Sequence, residues 1–333
     1  MFWMRTPKSL YFKKGSMPVA FDELCTVYNR KRAFIVSGRD LYKNGQVAAL
    51  EKLLDKMGIQ HICYYDIDDM ASFETISNGS KAMMLFEPDA LISFGGRAVI
   101  DAAKIMRVCC EQPGIDIVEL SEKFSDITSR DNVFPEMNKV LFVAVPTMGS
   151  KGSEISPYAV IDNDGDEIVI ADYNIMPDIT VVDGDNMLEQ TTEVVAESGL
   201  TALTQAINSY DAENATEYTD GFVIKAVQGI VKYLAAAYRF GKDEPMACEK
   251  LAEAMTMAGI AYSNTKTVIS VEITFEYLAD VIRINSAESE NTYKRYCELS
   301  TAAGLGGQVE DLIFKIEEFV SLCGYENKKL QCD

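Results

Sequence analysis

Histidine is almost missing from this sequence. Among 333 residues there is one, His61. A catalytic triad, an imidazole proton relay or a histidine-rich metal centre therefore starts nearly without material. His61 itself lies in a strand-like run, Gln60–Tyr65, and is read as structural. Basic residues are also short: 31 Lys and Arg stand against 51 Asp and Glu, for a formal net charge of −20. A field of that sign repels phosphate backbones and anionic lipid, so nucleic-acid and membrane partners are not expected. An anionic cofactor would need a local pocket of backbone N–H groups. The eight cysteines form no C-x-x-C pair, and Cys109 and Cys110 are simply adjacent. Reduced thiols in a cytoplasmic protein are the simplest reading. No apolar run reaches the length of a membrane span, and Met1–Lys8 lacks the apolar stretch of a secretory signal.

What is present is a globular pattern, 48% hydrophobic and long enough for two domains. Ala33–Ser37, His61–Tyr65, Asp89–Ser93 and Lys139–Val145 read as strands. Between them, Asn44–Gly58, Glu74–Phe86 and the stretch opened by Gly95-Gly96 and running through Asp101 to Cys109 read as helices. Alternation of this kind implies a parallel sheet with helices on both faces. Two β-rich runs over Tyr158–Asp172 flank Asn163-Asp164-Gly165, a hairpin signal. Ile179–Asp183 closes the strand-rich part. From Met187 the pattern is helical, over Val194–Tyr210, Asp220–Phe240, Pro245–Asn264, Ile273–Ile284, Ser289–Ala303 and Gln308–Cys323. The change sets a boundary near residue 185: an α/β, Rossmann-like parallel-sheet domain over 1–185 and an all-α domain over 186–333.

Two loops offer chemistry. The strand, Gly-Gly and helix unit at Ser93–Met106 suits a dinucleotide pyrophosphate. Small residues let backbone approach the phosphates, and a helix N-terminus presents free N–H groups at a positive dipole end. Gly-Gly also serves any tight turn, so the motif alone does not decide. The loop Pro146–Glu154 follows another strand. Its hydroxyls, glycines and Lys151 would line the same crevice at the C-terminal ends of the strands, or else form a polar connection into the hairpin.

Four segments together carry a resemblance. They are Phe94-Gly-Gly-Arg-Ala-Val-Ile-Asp-Ala-Ala-Lys104, Val145–Ile161, Met176–Asp183 and Ser198–Tyr210. In this order they resemble the iron-containing alcohol dehydrogenase family. Tyr11–Ser16, Leu41–Gly45 and Ala215–Gly221 are similar to the alcohol dehydrogenase half of its bifunctional aldehyde-alcohol dehydrogenases. The resemblance implies the alcohol dehydrogenase and dehydroquinate synthase-like fold, with a nicotinamide dinucleotide on the first domain and iron or zinc on the second. Cofactor contacts would then fall to Gly38, Arg39, Gly95, Gly96, Arg97, Asp101, Lys104, Thr147, Met148, Lys151 and Ser153.

The same resemblance exposes departures. The family holds its metal with an Asp and a His four residues apart on one helix, a spacing that shares a face, and with two later histidines. Here the first pair is Thr201 and Gln205, and the later segment, Thr265–Ala279, has no histidine and reads as shortened. Neither Fe nor Zn is therefore expected. The missing help is large, since a divalent metal lowers an alcohol-like pKa from about 16 to about 7, roughly 12 kcal/mol. Glu272 and Glu276 would offer carboxylates to a harder cation, or else form a solvated helix face. At the cofactor site, Arg97 would crowd the pyrophosphate or pair with it. Gly38 stands where the family has a ribose-binding acid, and Arg39 follows it, which favours NADP over NAD unless Arg39 is merely solvated.

Three functions follow as expectations. The first is a degenerate NAD(P)-linked member without metal-dependent alcohol oxidation, forming homo-oligomers or associating with an intact family enzyme. The second is a metal-independent NAD(P)H-dependent carbonyl reductase using Lys151 or Tyr158. The third is an active alcohol dehydrogenase with an atypical carboxylate metal site.

Overall fold

The computed structural model describes residues 4–68, 70–127, 132–163, 165–188, 190–265 and 274–330. They divide into two compact units, one from Arg5 to Asn186 and one built from Met187 onward. The first holds eight strands: β1 (Ser9–Phe12), β2 (Arg32–Gly38), β3 (Gln60–Ile67), β4 (Ala90–Gly95), β5 (Leu141–Pro146), β6 (Tyr158–Asn163), β7 (Asp166–Ala171) and β8 (Ile179–Val182). Six of them make one parallel sheet in the order β1-β8-β5-β4-β2-β3.

The inner strands are buried almost throughout because both faces of the sheet are covered there, whereas the edge strands β1 and β3 alternate exposed and half-buried residues. Ala33 and Ile35 of β2 enter one buried cluster with Ala90, Ile92, Val143 and Val145. Phe34 and Val36 point the other way, into a cluster with Leu91, Phe142 and the helix Arg97–Glu111. That helix carries its own buried charges. Glu111 accepts the N–H groups of Asn138, Lys139 and Val140 and pairs with Arg107 at 3.2 Å, fixing the entry to β5. Arg107 in turn meets Asp178, which also accepts the Phe142 N–H at 3.0 Å and Lys8 at 2.7 Å. Arg107, Glu111 and Asp178 are thus all paired, the condition under which buried charge is tolerated.

The hairpin β6–β7 stands apart as a two-stranded antiparallel pair. Asp164 of its expected turn lies outside the described residues, and Gly165 follows with φ 96°. Strand β1 was not foreseen. It is four residues long, too short to carry a period, and it pairs with β8. The expected helix Asn44–Gly58 runs over Gln46–Lys56, and a short helix that was not foreseen, Arg39–Lys43, precedes it. Gly45 at φ 85° separates them, a conformation that costs glycine little.

The second unit contributes helices Thr192–Tyr210, Glu217–Phe240, Pro245–Thr265, Leu278–Glu288, Glu290–Ala302 and Val309–Leu322, and no strand among its described residues. The first three approach closely. A Cβ placed on Gly199 would lie 2.4 Å from Leu234, and one on Gly229 would lie 2.6 Å from the Ala254 Cβ. At one corner Arg295 packs 4.1 Å over the Tyr210 ring and bonds Asp220, while Asp211 accepts from Asn285 and Tyr296. The helix expected over Ile273–Ile284 begins instead at Leu278. Ile273 itself lies outside the described residues. Thr274–Tyr277 forms a turn, closed by Tyr277 N–H to Thr274 C=O at 3.0 Å. Among the described residues no helix is long and apolar enough to cross a membrane.

Candidate dinucleotide site

The loops after β4 and β5 lie against one another at the C-terminal end of the sheet. The Thr147 N–H bonds the Gly95 carbonyl, and the Arg97 N–H bonds the Gly149 carbonyl, both at 3.1 Å. Adjacent parallel strands explain this placement, since Gly95 is in register with Pro146. Gly96 precedes the fifteen-residue helix Arg97–Glu111. A Cβ on Gly96 would sit 3.4 Å from the Gly149 oxygen. Backbone therefore floors the crevice here, with no side chain at that position to shield the helix N-terminus. The second loop turns through Gly149, Lys151 and Gly152, all at positive φ. For Lys151, φ 51° is a conformation that bulky residues seldom adopt and that the surrounding fold must enforce.

Beneath the crevice sits a buried polar cluster. Lys104 is fully buried, and its Nζ donates to Ser153 Oγ at 2.9 Å, to Asp101 at 3.4 Å, to Ser156 Oγ at 3.4 Å and to the Tyr158 carbonyl. Burial lowers the Lys104 pKa to about 8 despite the carboxylate beside it. Asp101, also buried, accepts from Ser153 Oγ and from the Val160 N–H at 3.1 Å. Two residues that sequence reasoning assigned to cofactor contact thus act from below, tying helix, loop and β6 together. Arg97 is drawn into the same system, its Nε 3.5 Å from Asp101. Met148 is packed away at 2% exposure, and the Thr147 hydroxyl donates to the Met148 carbonyl. Glu154 was missed by the sequence reading. Its carboxyl is buried, which raises its pKa, and its Oε2 has no hydrogen-bond partner among the described residues. A single acid in a loop of glycines and hydroxyls was the only sequence signal available.

At the end of β2, Gly38 faces Ile67 of β3 in register, and a Cβ there would lie 3.8 Å from Val99 of the Gly-Gly helix. The adenosine end of a dinucleotide belongs at this position in a doubly wound sheet. Arg39 is not the unattached cation that the NADP expectation needs. Its Nε donates to Asp66 at 2.7 Å, and its other arm reaches Asp68 at 3.1 Å. Tyr158, one candidate for polarising a carbonyl, is 8% exposed, and burial raises its phenol pKa. His61 Nδ1 lies 3.1 Å from the Ile59 carbonyl, a local contact within β3 and its approach.

Residues 7–184 match the profile of iron-containing alcohol dehydrogenases, and residues 195–279 match the profile of that family's C-terminal part. The chain belongs to the iron-containing alcohol dehydrogenase family. The bifunctional aldehyde-alcohol dehydrogenase of Escherichia coli is 36% identical over 79% of this chain and 30% of its own length. An aldehyde-alcohol dehydrogenase of Clostridium acetobutylicum is 31% identical over 96% of this chain and 41% of its own. The chain therefore spans well under half of these curated relatives. An NADPH-dependent butanol dehydrogenase of Clostridium saccharobutylicum is 28% identical over 98% of this chain and 83% of its own. Among solved structures, the iron-containing alcohol dehydrogenase of Thermococcus thioreducens superposes with a TM-score of 0.85 at 26% identity, covering 97% of this chain and 86% of that one.

Family membership corrects the expectation that excluded Fe and Zn, because iron is the metal of the family in which the chain now stands. The described side chains do not by themselves compose a ligand set for it. No three or more His, Cys, Asp or Glu converge as metal ligands would among the described residues. Thr201 and Gln205 occupy the helix Thr192–Tyr210, the former half-buried and the latter buried. Glu276 is not on a helix face. It is held by Lys328 at 2.8 Å and by Thr274 at 3.2 Å, and the bond to Lys328 lowers its pKa. Glu272, its partner in the carboxylate-site expectation, lies outside the described residues.

Proposed function

We propose that this chain is an NAD(P)-linked oxidoreductase of its family that no longer oxidises simple alcohols through a metal-stabilised alkoxide. The observation that carries the nucleotide half is the side-chain-free position at Gly96, directly before the helix Arg97–Glu111, where the Arg97 N–H bonds the Gly149 carbonyl and a Cβ would lie 3.4 Å from that oxygen. Phosphate oxygens need close backbone and an aligned dipole, and that arrangement supplies both. Asp101 and Lys104 hold the facing loop in place through Ser153. The alcohol half rests on Thr201 and Gln205, two neutral groups where the family's resemblance calls for an acid and an imidazole. Neither prepares an alkoxide, and an unassisted alcohol must overcome roughly 12 kcal/mol to become one. The interconversion of alcohols and aldehydes in the names of the relatives sets the substrate class to assay. The described cysteines are all unbridged, which supports a reducing compartment, and the cytoplasm is part of the same proposal.

The test has two arms. Titration of the purified chain with NADH and NADPH, followed by fluorescence, should show saturable binding that Gly96→Val weakens by about tenfold or more. Ethanol and butanol oxidation with NAD+ or NADP+, assayed with Fe2+ or Zn2+ in excess, should stay at background. Binding untouched by Gly96→Val would move the nucleotide elsewhere. Alcohol turnover that rises with added metal would refute the second half.

A further inference from the structure

The corner that would receive the adenosine ribose carries more negative charge than its sequence suggests. Gly38 ends β2 without a carboxylate, and Arg39 follows it, so the sequence there reads as welcoming to a 2′-phosphate. The fold brings β3 alongside, with Ile67 in register with Gly38 and Asp66 and Asp68 flanking it. Both acids turn to Arg39, Asp66 accepting from Nε at 2.7 Å and from a terminal nitrogen, Asp68 lying 3.1 Å from the other. Arg39 plus the two carboxylates sum to one negative charge. Adding Asp40 and Lys43 of the same short helix leaves that sum unchanged.

We infer that Asp66 and Asp68 make this corner a selector against the 2′-phosphate, so that the chain takes NAD(H) in preference to NADP(H). The inference rests on the nucleotide reading above. The three side chains are 45%, 51% and 58% exposed, so each ion pair is individually weak and a phosphate would compete for Arg39. Competition does not remove the selection. A phosphate that captured the guanidinium would leave two carboxylates within a few ångströms of itself, and like charges at that range repel. A free 2′-hydroxyl meets no such conflict, and it can donate a hydrogen bond to either acid. The selecting groups thus lie one strand away from the position that sequence comparison inspects.

Fluorescence titration of the full chain with NADH and with NADPH at low ionic strength tests this. NADH should bind about tenfold more tightly, a gap that 0.5 M salt narrows. The Asp66→Asn/Asp68→Asn pair releases Arg39 and removes both repelling charges, so the preference should turn toward NADPH. Arg39→Gln should widen the gap in favour of NADH. Equal or tighter NADPH binding by the unaltered chain would overturn the inference and leave the nucleotide site standing. So would a preference that the double substitution does not move while circular dichroism reports a native fold. Failure of either nucleotide to bind at millimolar concentration would remove the nucleotide site itself, and this inference with it.

Discussion

Lys104 shows how a position can be legible in type and illegible in role. The family resemblance marked it for the cofactor, yet it is fully buried and shares its N–H groups among Asp101, two serines and the Tyr158 carbonyl. Lys104→Met should destabilise the chain by about 3–5 kcal/mol, because Asp101 would keep its burial and lose its nearest full cation. The effect should also depend on pH. Burial sets the folded pKa near 8, below the ordinary 10.5, so between those values the unfolded chain binds the extra proton. The contribution of Lys104 therefore grows as pH rises through that window. Urea melts at pH 7.5 and pH 10 should show the stability difference between wild type and Lys104→Met widening, and a difference that shrinks would contradict the assignment. Sequence spacing reports which residues share a helix face. It does not report which of them end beneath the crevice, since that depends on where β6 crosses. For the same reason the acids around Arg39 escaped notice: they are distant in sequence and meet it only through strand pairing.

Helices and long strands were readable because their periods are fixed by burial. The inner strands of the sheet, β4 and β5 above all, are continuous apolar runs that need cover on two faces, and the helices Glu217–Phe240 and Pro245–Thr265 keep an apolar stripe over many turns. What failed were short pieces, β1 and the helix Arg39–Lys43, and a boundary near Leu278, where four or five residues hold too little periodicity to read. Close approach between helices was equally hidden. Gly229 costs its helix intrinsic stability, and replacement by alanine would restore about 1 kcal/mol on an isolated helix. Here the new methyl would meet the Ala254 Cβ at 2.6 Å, with no flexible side chain to yield. Overpacking of that kind costs about 1–3 kcal/mol, so Gly229→Ala should lower the melting temperature. A higher melting temperature would mean that the two helices can part without loss.

Taken together, 51 acidic against 31 basic residues give the chain a repulsive field toward its own proposed ligand, a dinucleotide carrying negative charge. The crevice answers locally with backbone amides and a helix dipole, which act only at short range. Approach and grip should therefore respond differently to salt. Stopped-flow association with NADH should accelerate as ionic strength rises from 10 to about 150 mM, as the long-range repulsion is screened. Association that slows with salt would point to a cationic funnel that outweighs the net negative field.

The first strand in the chain lies beside the last strand of its sheet, and Lys8 meets Asp178 across 170 positions of sequence. A ribosome delivers the amino end first, so β1 must wait for β8 before it has a partner. At ordinary elongation rates that interval is roughly 10–30 s. Throughout it the growing sheet lacks its closing edge, and Leu10 and Phe12 have no strand to lie along. Completion of this unit is therefore timed by synthesis itself, and a nascent chain stalled just short of Ile179 should remain open to protease around β1.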